Sequence, residues 1–348
     1  MSSWLSSITN LSELILDGFA NCQHLPPLHQ LYSLKVIRLS RLEALENVSE
    51  TEMQEELVSG KSTTIFFPSL EELQIDDCPN FKGWWKGDVG EASNPHLPCF
   101  PCLSRLTINH CPNLTTMPLF PSVTELELKN TSSKPFQETM KLKLTKIEAP
   151  SSILDPRSRL EYLYIDEVKD LGSMSSLHQL YSLKVIRLSR LEALENVSKT
   201  EMQEELVSGK STTIFFPSLE ELQIDDCPNL KGWWKGDVGE ASNPHLPCFP
   251  CLSCLTINHC PNLTTMPLFP SVTELELKNT SSKPFQETMK LKMTKIEPPS
   301  SILHPLSKLE SLEIDEVKDL DSLSSLHQLY SLSYLAFKIR SFGECFGD

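Results

Sequence analysis

A chain of 348 residues with 31 Lys and Arg against 46 Asp and Glu carries a net charge of −15 and a pI near 5.1. That balance argues against nucleic acid as a partner, because phosphate contacts need clustered cations; no run of about 18 apolar residues occurs, so no membrane span is expected. The eleven cysteines are an odd number, and Met1 to Asn10 lack the basic and apolar regions of a signal peptide, so the thiols read as reduced and the location as cytoplasmic.

Hydrophobic residues make up 39% of the chain, and one pattern uses them with economy. L-x-x-L-x-L begins at Leu11, Leu34, Leu70, Leu103, Val123 and Leu160, returns at Leu183, Leu219, Leu252, Val272 and Leu309, and starts a last time at Leu332. In the run from Leu70 to Phe81, Leu73 and Ile75 alternate with polar neighbours, which predicts a short strand with one buried face. Cys78 and Phe81 follow at steps of three and belong to a turn that packs back into the same core. This is the leucine-rich-repeat template, in which one strand per unit stacks in parallel on the next. The predicted fold is a leucine-rich-repeat solenoid shaped as a horseshoe. Its parallel strands line the concave face, and irregular loops and short helical turns form the convex face.

A coarser repeat contains the fine one. Leu28 to Ser40 returns 149 residues later as Leu177 to Ser189, and Leu326 opens a partial third copy running to residue 348. Residues 28–176 and 177–325 differ at about a dozen positions, among them Phe81 against Leu230 and Arg105 against Cys254. The unit starts within a copy are 36, 33, 20, 37 and 23 residues apart, against about 20–29 for an ordinary repeat of this kind. The long units therefore carry insertions: Glu46–Pro68, in which Thr51 to Leu57 is expected to form a helical turn, Lys82–Pro101, and Lys129–Arg159. All are expected to project from the convex side or an edge, so that the strands stay adjacent and keep their backbone groups paired. No linker divides the chain, and residues 1–348 read as one solenoid. Neither end carries a polar capping sequence, so the chain is expected to be part of something longer, or to have its first strand covered by another domain.

Motifs with possible chemistry reduce to structural readings. Ser59-Gly60-Lys61-Ser62-Thr63, repeated at Ser208–Thr212, resembles the end of a phosphate-binding loop, but Glu55 stands where that loop needs glycine. His96, Cys99 and Cys102, with His245, Cys248, Cys251 and Cys254, have spacing like zinc ligands. A closed site needs four, and Arg105 replaces the fourth in the first copy. Cys78, Cys111, Cys227 and Cys260 stand at the ninth template position, where a small side chain fills the stack. Trp84-Trp85 and Trp233-Trp234 read as half-buried packing beneath the inserted loops. No catalytic constellation, metal site or cofactor site is expected.

What remains is the exposed face of the strands, the candidate protein-binding surface. In the first copy it comprises Lys35, Arg38 and Arg41, then Glu72, Gln74 and Asp76, then Arg105, Thr107 and Asn109. Glu125 and Glu127 follow, then Tyr162 and Tyr164. In the second copy the candidates are Arg187, Gln223, Thr256, Glu276 and Glu313.

The segments Trp4 to Leu11, Asn21 to Leu28, Phe67 to Ile75 and Cys111-Pro112-Asn113-Leu114 resemble the leucine-rich-repeat region of plant coiled-coil, nucleotide-binding disease-resistance proteins. The resemblance covers essentially the whole chain. It implies a recognition module that senses a pathogen effector or a guarded host protein and restrains a nucleotide-binding domain, which this chain lacks. The partners it implies are therefore proteins: the effector, the guarded protein, or the nucleotide-binding domain of the parent receptor. A free-standing repeat scaffold or a ubiquitin-ligase substrate adaptor is the alternative, although an adaptor needs a ligase-docking segment that the short stretch before Leu11 does not provide.

Overall fold

A computed structural model describes residues 8–25, 28, 31–49, 67–85, 99–141, 159–174, 177, 180–198, 216–234, 249–267, 269–290, 306–317, 326 and 329–338. The chain gathers into two compact units, the first drawn from residues 1–171 and 176–183, the second from 172–175 and 184–348. The expected helical turn at Thr51 to Leu57 and the segments Ser59–Thr63 and Ser208–Thr212 lie outside the described residues, as do His96, His245 and Cys248.

Every L-x-x-L-x-L start is followed two residues on by a five-residue strand. In the first unit the elements are β1 (Glu13–Asp17), β2 (Val36–Ser40), β3 (Asn47–Ser49), β4 (Glu72–Asp76), β5 (Gly83–Trp85), β6 (Arg105–Asn109), β7 (Glu125–Lys129), α1 (Lys134–Lys141) and β8 (Tyr162–Asp166). Six of its strands pair in parallel in the order β1-β2-β4-β6-β7-β8 with an unshifted register, so Leu14, Ile37, Leu73, Leu106, Leu126 and Leu163 stand side by side. The second unit repeats the scheme with β9 (Val185–Ser189), β10 (Asn196–Ser198), β11 (Glu221–Asp225), β12 (Gly232–Trp234), β13 (Cys254–Asn258), β14 (Glu274–Lys278), α2 (Lys283–Lys290), β15 (Ser311–Asp315) and β16 (Tyr334–Lys338). Its parallel order is β9-β11-β13-β14-β15-β16.

The pattern works because the strand period of two puts the template leucines on one face. In β4, Leu73 and Ile75 are buried while Glu72, Gln74 and Asp76 face outward. The chain then has to turn into the core at once. The residue after each five-residue strand from β1 to β15 takes a left-handed backbone, among them Gly18 (φ 74), Arg41 (φ 53), Asp77 (φ 52) and His110 (φ 52). Outside glycine this conformation costs on the order of 1 kcal/mol, and here it is tied down by a bond to the neighbouring strand: Asp77 N–H donates to the Asn109 carbonyl at 3.1 Å, and His110 N–H to that of Lys129 at 2.8 Å. The reversal drops Cys78 and Cys111 into the stack, both fully buried.

Behind the main strands a second, two-stranded parallel sheet forms in each unit, β3 with β5 and β10 with β12. It carries Trp84, which is wholly buried where half-burial was expected. The ring meets Phe81 and Phe100 edge-on at centroid distances of 5.7 and 5.1 Å, and its Nε1–H donates to the Thr116 carbonyl at 3.2 Å. Trp233 makes the same bond to Thr265 at 2.9 Å. The insertion after β7, whose composition predicts irregular loop, contains a regular helix. Ser133 precedes α1, Pro135 needs no N–H partner at its start, and Asp170 holds the entry: its Oδ1 accepts from Ser133 N–H at 2.8 Å and its Oδ2 from the Ser132 hydroxyl at 2.7 Å. Among the described residues no helix is long and apolar enough to cross a membrane.

Candidate recognition face

The outward positions of the strands form three rows in each unit. In the first unit the centre row is Ile15, Arg38, Gln74, Thr107, Glu127 and Tyr164, one residue per strand, fixed by the register. Because neighbouring strands stand about 4.8 Å apart, charged side chains in adjacent units reach one another. Arg38 bridges Glu13 at 2.6 Å and Glu72 at 2.9 Å, and Arg105 bridges Glu72 at 3.6 Å and Glu125 at 3.0 Å. Two guanidinium groups thus bridge three carboxylates over β1, β2, β4, β6 and β7, leaving a net negative charge. Glu72 lies at the middle of this ion-pair network with a side chain only 22% exposed. Single exposed pairs of this kind contribute about 0–1 kcal/mol, so the network sets the charge pattern of the surface more than its stability.

Lower on the face, Asp17 meets Arg41 and Ser40, whose hydrogen bonds hold its carboxyl down to about 2. Asp76 stands 3.5 Å from His110, and Lys129 3.6 Å from Asp166. Val36, Asn109 and Tyr162 complete the outward positions, Tyr162 being 36% exposed. Lys35 does not belong to the rows: it precedes β2 and pairs with Glu71 at 2.8 Å along the strand entrances.

The second unit carries the same rows with a different charge. Its centre row is Arg187, Gln223, Thr256, Glu276, Glu313 and Ala336. Arg187 bonds Glu221 at 2.8 Å, as Arg38 bonds Glu72. The bridging arginine is then replaced by Cys254, half-buried between Glu221 and Glu274 in the register, and burial followed by those two carboxylates pushes its thiol up. Glu313, in the place of Tyr164, is held below the usual carboxylate range mainly by Lys338 at 2.7 Å. Lys278 pairs with Glu276 and lies 3.8 Å from Glu313.

Two features of the face escaped the sequence reading. Ile15 is 57% exposed at the centre of β1, and Phe19 beside that strand is 50% exposed. Ile15 occupies the template position that Arg38 fills one unit later, so the pattern marks it. Of the zinc-like spacing in the first copy, Cys99 is buried and Cys102 exposed, and among the described residues no group of three or more His, Cys, Asp or Glu is arranged to hold a metal.

In-register parallel strands, each preceded by the L-x-x-L signature and followed by a left-handed turn into the core, define a leucine-rich-repeat protein. Residues 3–133 and 138–282 match the family described as plant disease resistance protein RPS2-like, leucine-rich repeats, and the chain belongs to that family. It is similar to disease resistance protein RGA2 of Solanum bulbocastanum, 31% identical over 131 residues, covering 37% of this chain and 13% of that protein. It is also similar to putative disease resistance RPP13-like protein 1 of Arabidopsis thaliana, 24% identical over 244 residues, 66% of this chain and 20% of that one. The chain thus spans a fifth or less of these relatives. Among solved structures, an internalin (InlF) from Listeria monocytogenes aligns over 97% of this chain and 88% of its own, with 13% identity and a TM-score of 0.29.

Proposed function

We propose that this chain is a protein-recognition module of plant intracellular immunity, that it acts from the cytoplasm, and that the exposed face of its strands is the surface that binds. Its partner is a pathogen effector, a guarded host protein or the nucleotide-binding domain of the parent receptor, and its role is to sense the first two or to restrain the third. The observation that carries this reading is the ion-pair network of Glu13, Arg38, Glu72, Arg105 and Glu125, five charged side chains from five strands held in fixed order on the outward face. Patterned charge on a rigid sheet gives specificity and association rate more than raw affinity. Membership of a family of disease-resistance leucine-rich repeats supports this reading.

The test uses the full receptor in leaf tissue. Glu127→Lys with Glu276→Lys reverses two centre-row charges that carry no core role, since both side chains point away from the buried leucines. The expected result is a changed cell-death response, lost with the effector or switched on without it, at unchanged protein level. An unaltered response in both conditions overturns the assignment of this face.

A further inference from the structure

Among the described residues of the first unit, Glu127 is the outward carboxylate that its own chain leaves unanswered. Glu13 and Glu72 meet Arg38, Glu125 meets Arg105, Asp17 meets Arg41, Asp76 meets His110 and Asp166 meets Lys129. Glu127 makes no ion pair or hydrogen bond among those residues. Lys129 stands two residues further along β7, roughly 6.6 Å away at about 3.3 Å per residue, but its Nζ is turned to Asp166 on β8. Glu127 is half-buried in the centre row, with Thr107 beside it on β6 and Tyr164 beside it on β8. Tyr162 lies two residues before Tyr164 on the same outward side, so two phenol rings stand on the strand next to the carboxylate.

The second unit shows the same place already filled. Glu276 holds the position of Glu127 and pairs with Lys278. The next strand carries Ser311 and Glu313 where the first unit has its tyrosines, and Glu313 takes Lys338 at 2.7 Å. Two nearly identical copies therefore differ here in kind: one satisfies its centre-row carboxylates with its own lysines, and the other offers a carboxylate beside two aromatic rings.

We infer that Glu127, Tyr162 and Tyr164 form a subsite for an arginine side chain of the partner protein; this rests on the strand face being the surface that binds. A half-buried carboxylate is less screened than an exposed one, so a cation placed on it is attracted more strongly. The faces of tyrosine rings attract cations as well, and an anionic group would be repelled by Glu127. Guanidinium fits better than ammonium. It bonds a carboxylate through two parallel N–H donors while its flat face stacks on an aromatic ring, which a compact ammonium does not do at once. The net charge of −15 draws a basic partner to the chain in the first place.

The experiment titrates the full chain, carrying ring-labelled tyrosine, with Nα-acetyl-arginine amide and follows the tyrosine resonances by NMR. Saturable shifts are expected at Tyr162 and Tyr164, with Tyr32, Tyr181 and Tyr330 unmoved. Glu127→Gln is expected to weaken that binding by about tenfold or more, as the loss of a hydrogen bond to a charged group does. Nα-acetyl-citrulline amide, the neutral isostere, is expected to shift nothing, and Nα-acetyl-lysine amide to bind more weakly than the arginine probe. No saturable shift, equal affinity in Glu127→Gln, or equal shifts with citrulline overturns the subsite; equal affinity for lysine overturns the choice of guanidinium. The titration needs no effector and no other part of a receptor, so its failure is distinct from that of the face. An unaltered cell-death response fails the strand face as a whole, whereas an altered response without arginine binding keeps the face and overturns this subsite alone.

Discussion

Replacing Trp84 by Phe separates packing from surface in a single substitution. The indole is fully buried, its Nε1–H is the donor to the Thr116 carbonyl at 3.2 Å, and Thr116 is itself only 5% exposed. Phe retains the edge-on contacts with Phe81 and Phe100 and removes roughly 40 Å³ of ring; at about 24 cal/mol per Å³ of void that costs about 1 kcal/mol. The carbonyl of Thr116 then lies buried without its donor, a further ~1 to 2 kcal/mol. The total is about 2 to 3 kcal/mol, read as a lowered midpoint in urea unfolding followed by far-ultraviolet circular dichroism. Trp233→Phe, with its 2.9 Å bond to Thr265 and its edge-on contact with Phe249, is expected to cost a similar amount, although Leu230 stands where Phe81 does. A loss below ~0.5 kcal/mol for both would refute the view that the second sheet and its tryptophans hold the back of each unit.

Other consequences follow from the same geometry. Leu73→Ala removes a stack residue that is 2% exposed and is expected to cost about 2 to 5 kcal/mol; an unchanged melting temperature would contradict the register. Cys254→Arg restores in the second unit the bridge that Arg105 makes in the first, and is expected to stabilise by up to ~1 kcal/mol, a gain that 1 M salt should abolish. Asp170 is pushed up by burial but drawn below its ordinary value on balance by the Ser133 N–H and the Ser132 hydroxyl. A depressed folded pKa means its contribution is complete above the unfolded value near 3.9 and is lost as pH falls through the folded one. Asp170→Asn is expected to raise amide exchange over residues 134–141 at pH 7, with the difference from the parent vanishing in strong acid.

The strands were legible because a period of two leaves one face to be filled with leucine, and a unit that misplaces Leu73 or Leu106 cannot stack. The left-handed exit was not legible, because Arg41, Asp77, His110 and Asn130 share no residue type. What they share is a bond to the next strand. Helix α1 was hidden by composition: Lys134 to Lys141 sits in a stretch rich in Ser, Thr and Lys, although Ser133 and Pro135 mark its start. The sites on the face could be placed on strands, since Arg38, Gln74 and Thr107 occupy the x of L-x-L. Their pairing could not, because which arginine reaches which glutamate depends on unit-to-unit distance and not on sequence separation. Glu72 gathers Arg38 and Arg105 from units 34 and 33 residues away.

The most direct test of recognition by the strand face is side-chain footprinting of the full receptor, free and bound to its partner. Tyr162 and Tyr164 stand on that face, whereas Tyr32 and Tyr181, 70% and 67% exposed, sit in the turns that enter β2 and β9. The account predicts that binding protects Tyr162 and Tyr164 from hydroxyl radicals and leaves Tyr32 and Tyr181 as reactive as before. Protection of Tyr32 and Tyr181 with Tyr162 and Tyr164 unchanged would contradict it.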